Sequence, residues 1–292
     1  MTGATDLERD IGALETGRAF TDLSSWRLIR VDGADARRWL GDLVTADVAS
    51  IESEACRRSL LLGPTGRIRA DMWIVAERNG FILLQPPDQP DPVDALLAPY
   101  TLSSDVRLQD QSNDRALLAV DGTVGRIAGT SASRPSVLGS GVNLTTSRSE
   151  VGTIREALID RGLAEADPRA VEVLRIRRGT PRMGADFDTE SLPAEAGLEE
   201  VVDFTKGCFL GQESVAKVRN LGHPPRVLRH LLARAAVSSF DPVLAGSGQA
   251  GRVTSAAPGR EDGTTVLLAR VRWEAADSEL TLADGSPLVP LA

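Results

Sequence analysis

Two hydrophobic rhythms run along this chain, one of period two and one of three to four residues, and neither repeats in a fixed order. Period-two patterning predicts strands at 26–32 (WRLIRVD), 58–63, 67–76, 81–84, 105–109 and 115–120. In 67–76 the apolar Ile68, Ala70, Met72, Ile74 and Ala76 share one face, which predicts a half-buried strand. Pro64-Thr65-Gly66 is a turn, and Asn79-Gly80 is a two-residue hairpin signal. Helical spacing predicts a helix capped by Asp35 and running to about Val44, with Trp39, Leu40 and Leu43 inward. Further helices are predicted from Asp91-Pro92 through Leu97, over about 150–161 up to Gly162, and from Asp167-Pro168 to about Arg178. Another runs from Gly211 or Gln212 to about Asn220. Residues 122–141, rich in Gly and Ser, predict no element.

Gly222-His223-Pro224-Pro225 is the clearest interruption, because two prolines after a glycine cannot continue a helix. Beyond it, 226–233, 249–256, 264–274 and 278–291 read as strands parted by Gly, Asp and Pro turns. That density of short strands predicts a small antiparallel barrel. Meanders and helices without a βαβ rhythm predict an α+β fold. The expected organisation is a body over 1–222, with a meander subdomain at about 46–148, and a barrel over 226–292.

Composition narrows the function. The chain has 292 residues, 42% of them hydrophobic and 25% charged, with a net charge of −8 and no block of like charges. A dedicated nucleic-acid binder would show a basic face, so none is expected. No apolar run approaches the ~18 residues of a membrane span, and Met1 to Gly12 lacks the apolar core of a signal peptide. Two cysteines, Cys56 and Cys208, make no disulfide framework, which fits a reducing cytoplasm.

Candidate chemistry is concentrated in one window. Only two of the 33 basic side chains are lysines, and both lie with both histidines between residues 206 and 230: Lys206, Lys217, His223 and His230. A primary amine is a compact charge with three donors, whereas guanidinium is a planar fork, so a lysine kept here has a specific task. Cys208 sits among them between Gly207 and Gly211, where the backbone can bend. Lys206 and a following helix N-terminus would favour its thiolate, the nucleophilic and metal-ligating form. A small buried apolar role for Cys208 stays equally open. Cys56 reads as structural, and Cys208, His223 and His230 lack a zinc spacing, so no metal site is expected. Glu195, Glu199, Glu200 and Asp203 precede the basic stretch. A fold-back there would give a pocket with acidic and basic walls, suited to a heterocycle with a carboxylate tail.

The segments WRLIRVDG, LVTADV, RRGTPRMGADFDTESLPAEAGLEE and KGCFLGQE, running from about Ser24 to Val218 in the same order as in the family, resemble the YgfZ family. These are folate-binding relatives of the glycine-cleavage T-protein, an aminomethyltransferase. The resemblance implies a T-protein-like fold of two intertwined subdomains around a central channel, followed by the barrel. It implies tetrahydrofolate or a one-carbon derivative as ligand, and a part in assembling or repairing iron–sulfur clusters of client enzymes. Cys208 and Lys206 carry over as the functional pair, with Cys208 a transient thiolate that shares a cluster with a carrier protein. Trp26, Asp47, Glu195, Lys206 and Gln212 carry over as folate-binding residues, Glu195 as the pterin-binding carboxylate. Phe209 and Lys217 stand where the family often has tyrosine and arginine. Leu84-Gln85-Pro86-Pro87-Asp88 lacks the context of the T-protein's catalytic aspartate, so no classical enzyme activity is expected. The alternative is folate-dependent aminomethyl or one-carbon transfer, with Asp47 or Asp88 as acid/base.

Overall fold

The computed structural model describes residues 2–291, the side chains of residues 2–5 and Leu221 excepted. The chain forms two compact units, one of Met1–Leu62, Arg69–Leu174 and Thr205–Leu210, the other of Gly63–Ile68, Arg175–Phe204 and Gly211–Ala292.

The first unit opens with helix α1 (Thr2–Glu15) and strands β1 (Ala19–Asp22) and β2 (Arg27–Asp32), then helix α2 (Ala36–Leu43). A meander of β3 (Cys56–Leu62), β4 (Ile68–Glu77) and β5 (Gly80–Gln85) leads to α3 (Val93–Leu97), β6 (Arg107–Asp110) and β7 (Arg115–Val120). Strands β8 (Ser131–Ser133) and β9 (Val142–Ser147), helix α4 (Val151–Ile159), β10 (Ala164–Glu165) and α5 (Pro168–Arg177) follow. One five-stranded sheet has the order β10-β1-β7-β9-β8 and the other β3-β4-β5-β2-β6.

These sheets pack face to face. Leu28, Cys56, Val75, Ile82 and Leu84 of one meet Leu117 and Ala119 of the other. The outer face of the meander sheet carries Ala70, Met72 and Ile74 against Trp39, Leu40 and Leu43 of α2, and α4 covers the other sheet through Ile154 and Leu158. β4 is consequently enclosed on both faces from Ala70 onward, rather than half-buried, because the second sheet takes up Trp73 and Val75. The hairpin forms one residue earlier than expected, with Arg78 and Asn79 in the turn and Gly80 already paired with Glu77; Gly80 has φ 137°, and a Cβ there would stand 2.2 Å from the Val31 carbonyl oxygen.

Two expected helix caps are not made. Asp35 spends its carboxylate on the Asp105 N–H at 2.9 Å and on Arg38. At α3 the Val93 N–H donates to Gln85 Oε1 at 2.9 Å, while the Asp91 carbonyl accepts from Gln85 Nε2. A strand side chain thus does the work assigned to Asp91.

The second unit holds α6 (Gln212–Leu221) and a closed barrel. Its strands are β11 (Arg226–Ala233), β12 (Pro242–Ala245), β13 (Gly248–Pro258), β14 (Thr265–Arg272), β15 (Leu280–Thr281) and β16 (Pro287–Pro290), ordered β11-β14-β13-β12-β15-β16. Leu231, Val243, Val253, Leu267, Ala269 and Val271 fill it. The division expected at 222–226 falls inside this unit. Pro225 accepts from the Trp273 N–H at 3.1 Å, and the His223 ring stacks on Trp273 with centroids 5.0 Å apart. Residues 175–204 also bind the barrel: Arg175 donates to Asp186 and to Ser255, and Asp186 accepts from the Thr254 and Ser255 hydroxyls. Among the described residues no helix is long and apolar enough to cross a membrane.

Candidate functional site

In the first unit the Thr205–Leu210 loop is held at both ends. The Leu210 N–H donates to the Asp42 carbonyl at 3.1 Å, Leu210 packs on the α2 core, and Phe209 is buried. Lys206 provides the other anchor. Its Nζ donates to the carbonyls of Gly41 at 2.5 Å, Val44 at 2.6 Å and Ala46 at 3.0 Å, and lies 5.0 Å from the Phe209 ring centroid. These carbonyls lie in the last turn of α2 and just beyond it, where orphan oxygens and the negative helix end favour a cation. Three acceptors converging on one point suit a tetrahedral ammonium and not a planar fork. The ammonium's three protons therefore have backbone acceptors, and Lys206 fixes the backbone of this loop.

Between these anchors Cys208 is exposed, which removes the buried apolar reading. Cys56 is its opposite. Burial pushes the Cys56 thiol up to about 12, only partly offset by hydrogen bonds with Asn143 and Ser133. Asp47 follows the Ala46 carbonyl that Lys206 holds; its Oδ1 accepts from the Ala49 N–H at 3.1 Å. Asp88 is exposed.

Trp26 is half-buried against Trp73, with ring centroids 5.2 Å apart and planes tilted by 48°. The Arg58 guanidinium stands 4.9 Å from the Trp73 centroid and grips Asp71 with two bonds of 2.9 and 2.7 Å. This wall of two indoles and a paired guanidinium suits the face of a flat ring. Trp73 was not singled out in the sequence, because it reads there as one more residue of an alternating strand.

Glu195 and Gln212 belong to the second unit. Gly211, at φ 81°, turns the chain into α6, and Gln212 opens that helix half-buried. Glu195 is buried, and its Oε2 accepts from the Leu192 N–H at 3.0 Å. Its Oε1 lies 3.9 Å from Arg270 Nη2. Arg270, 11% exposed, reaches Asp188 at 3.4 Å, and its buried Nε has no hydrogen-bond partner among the described residues. Burial opposes ionisation of Asp188, but the Ser191 hydroxyl and the Arg270 charge outweigh it and hold the carboxyl below its usual range. A buried carboxylate thus lies at ion-pair distance from a guanidinium whose buried Nε–H has no hydrogen-bond acceptor among the described residues, a costly arrangement unless a ligand completes it. An aminopterin edge carries the matching donors and acceptors, so the residues present fit a folate. Arg270 was missed in the sequence; the signal was a lone charge inside the apolar strand TVLLARV. Among the described residues no group of three or more His, Cys, Asp or Glu side chains could hold a metal ion.

Residues 4–127 match the family described as the GCVT N-terminal domain. A tRNA-modifying protein YgfZ from Enterobacter sp. is 25% identical over 236 residues, 73% of this chain and 71% of that protein. An aminomethyltransferase from Streptomyces avermitilis is 25% identical over 296 residues, 89% of this chain and 79% of that one. The crystal structure of the glycine cleavage system aminomethyltransferase T from Bartonella henselae superposes with a TM-score of 0.86 at 19% identity, over 98% of this chain and 88% of that chain. That likeness establishes the fold, with mixed sheets, helices and a closed C-terminal barrel. The fold is thus the one shared with that aminomethyltransferase, and the match to the GCVT N-terminal domain extends over residues 4–127.

Proposed function

We propose that this protein binds tetrahydrofolate and assists the assembly or repair of iron–sulfur clusters in client enzymes. The observation that carries the folate reading is the buried Glu195 carboxylate beside Arg270, whose buried Nε–H has no acceptor among the described residues. Glu195 would accept from the pterin edge and Arg270 would donate to it. When bound, the folate would supply a carrier for a one-carbon unit. Cys208 is the exposed thiol through which a cluster in transit would be shared. One thiolate is too few for a resident cluster, so the cluster is cargo passing from an iron–sulfur carrier to a client. Lys206 would serve by fixing the loop that presents Cys208. A reducing cytoplasm, which keeps both cysteines as thiols, is the compartment this reading requires.

The test pairs two measurements. Tetrahydrofolate titration should show binding by the wild type, and Glu195→Ala should weaken it by about 1–3 kcal/mol, the cost of an unpaired buried partner. In a strain lacking the protein, Cys208→Ser should bind folate normally and fail to restore iron–sulfur enzyme activity. Relatives named for tRNA modification make cluster-dependent tRNA-modifying enzymes the first clients to assay. Full rescue by a well-folded Cys208→Ser protein would end the cluster reading. The second reading, folate-dependent aminomethyl transfer with Asp47 or Asp88 as acid/base, draws on the aminomethyltransferase relative. Turnover of an aminomethyl donor, lost in Asp47→Asn or Asp88→Asn, would favour it.

A further inference from the structure

A cleft of about 750 Å³ opens within the first unit between the end of β4 and the strands β8 and β9, and four arginines and two glutamates line it. In a protein with a net charge of −8, this surplus of positive charge is local and unusual. The arginines divide into two kinds. Arg115 is fixed in the wall, donating to Glu77 at 3.0 Å and to the Thr145 hydroxyl at 2.9 Å. Glu77 also accepts from Arg30 at 2.7 Å, so its charge is already more than neutralised. Arg78, Arg126 and Arg134 are exposed, and their guanidinium groups make no hydrogen bond or ion pair among the described residues. Glu54 is the one remaining carboxylate.

The backbone at the rim is held firmly. The Arg134 N–H donates to the Glu54 carbonyl at 2.8 Å and the Arg134 carbonyl accepts from the Cys56 N–H at 2.6 Å. Glu54 itself sits at φ 65°, a left-handed conformation that costs a non-glycine residue energy, and its N–H donates to the Ala76 carbonyl at 3.2 Å. Arg134 therefore projects from a fixed point, while its head is unpaired. Guanidinium forks of this kind bind phosphate and carboxylate through paired N–H donors, and a concave site of several hundred Å³ fits a small organic ligand.

We infer that this arginine-rimmed cleft binds a small polyanion, a ligand carrying two or more phosphate or carboxylate groups. None of its lining residues belongs to the Lys206–Cys208 loop or is assigned to folate, so it is independent of the folate reading. The experiment is calorimetric titration of the full chain, at low ionic strength, with inorganic pyrophosphate and separately with citrate. At least one should bind at a single site, and added salt should weaken it. Preference for pyrophosphate would assign a phosphorylated ligand, and preference for citrate a polycarboxylate. The triple variant Arg78→Ser, Arg126→Ser, Arg134→Ser should lose about tenfold or more in affinity, since each lost bond is to a charged group. Arg126→Ser alone, on an exposed loop, should show a smaller loss with an unchanged melting temperature. Both variants should keep wild-type tetrahydrofolate affinity. Absence of binding by either anion, or equal binding by wild type and both variants, would overturn the inference. Capture of a short RNA by protein that ignores both small anions would overturn it too, in favour of a macromolecular partner.

Discussion

The two cysteines show how a side chain's surroundings decide its chemistry. Cys208 is exposed on a loop anchored at both ends, and Cys56 lies between two sheets with its thiol pushed up to about 12. Iodoacetamide at neutral pH should therefore label Cys208 and spare Cys56 until the protein unfolds, as read by peptide mass spectrometry. Labelling of both at equal rates would mean that Cys56 is not enclosed. Lys206 makes a sharper case. Its scarcity marked it as special, but its three acceptors are backbone carbonyls of Gly41, Val44 and Ala46, which leave no trace in side-chain identity. Lys206→Met should cost about 2 kcal/mol in urea unfolding by stranding those oxygens. Lys206→Arg should recover only part of that, because a planar fork cannot donate to three points around one centre. Full stability in the arginine variant would show that charge alone matters.

Among elements, those with strong side-chain periodicity were legible and those built on polar residues were not. β2 to β5, α2, α6 and β11 lie within a residue or two of the expected ranges. β9, VNLTTS, was missed because its burial is almost complete although four of its six side chains are polar. The Asn143 amide makes this possible, accepting from the Val137 N–H at 2.9 Å and donating to the Ser133 hydroxyl, so a buried strand need not look apolar. Within β11, His230 is half-buried with an unpartnered Nε2, and burial lowers its pKa below 6.5, partly offset by the Ile176 backbone. The sign follows from proton uptake. As pH falls through the ordinary value the unfolded chain binds the proton first, so this group's contribution is intact above that pH and declines below it. Thermal melts taken from about pH 7 down to about pH 5 should show a decline that His230→Gln flattens. An identical slope in that variant would assign the acid sensitivity to other groups.

At the scale of the whole molecule, the barrel begins after Pro224-Pro225, where the sequence placed it, while the compact units divide the chain elsewhere. A proline-rich break marks where local structure stops, whereas a compact unit is set by contacts distant in sequence, and those are invisible to periodicity. Arg175 and Asp186, 12% and 0% exposed, meet at 2.7 Å, and Asp186 also takes the hydroxyls of Thr254 and Ser255 on β13. Arg177 adds bonds to the Pro258 and Gly259 carbonyls. A fragment of residues 226–292 would lack the Asp186 acceptor and expose the barrel surface that residues 175–204 cover. Such a fragment should melt without a cooperative transition. Conversely, a protease site engineered at 222–225 and cut in the native protein should yield two pieces that co-elute in gel filtration and separate only in denaturant, because the buried Arg175–Asp186–Ser255 network spans the cut. Free separation of the pieces under native conditions, with the tail retaining a cooperative melt, would restore the linker as the true boundary and reduce that network to a surface contact.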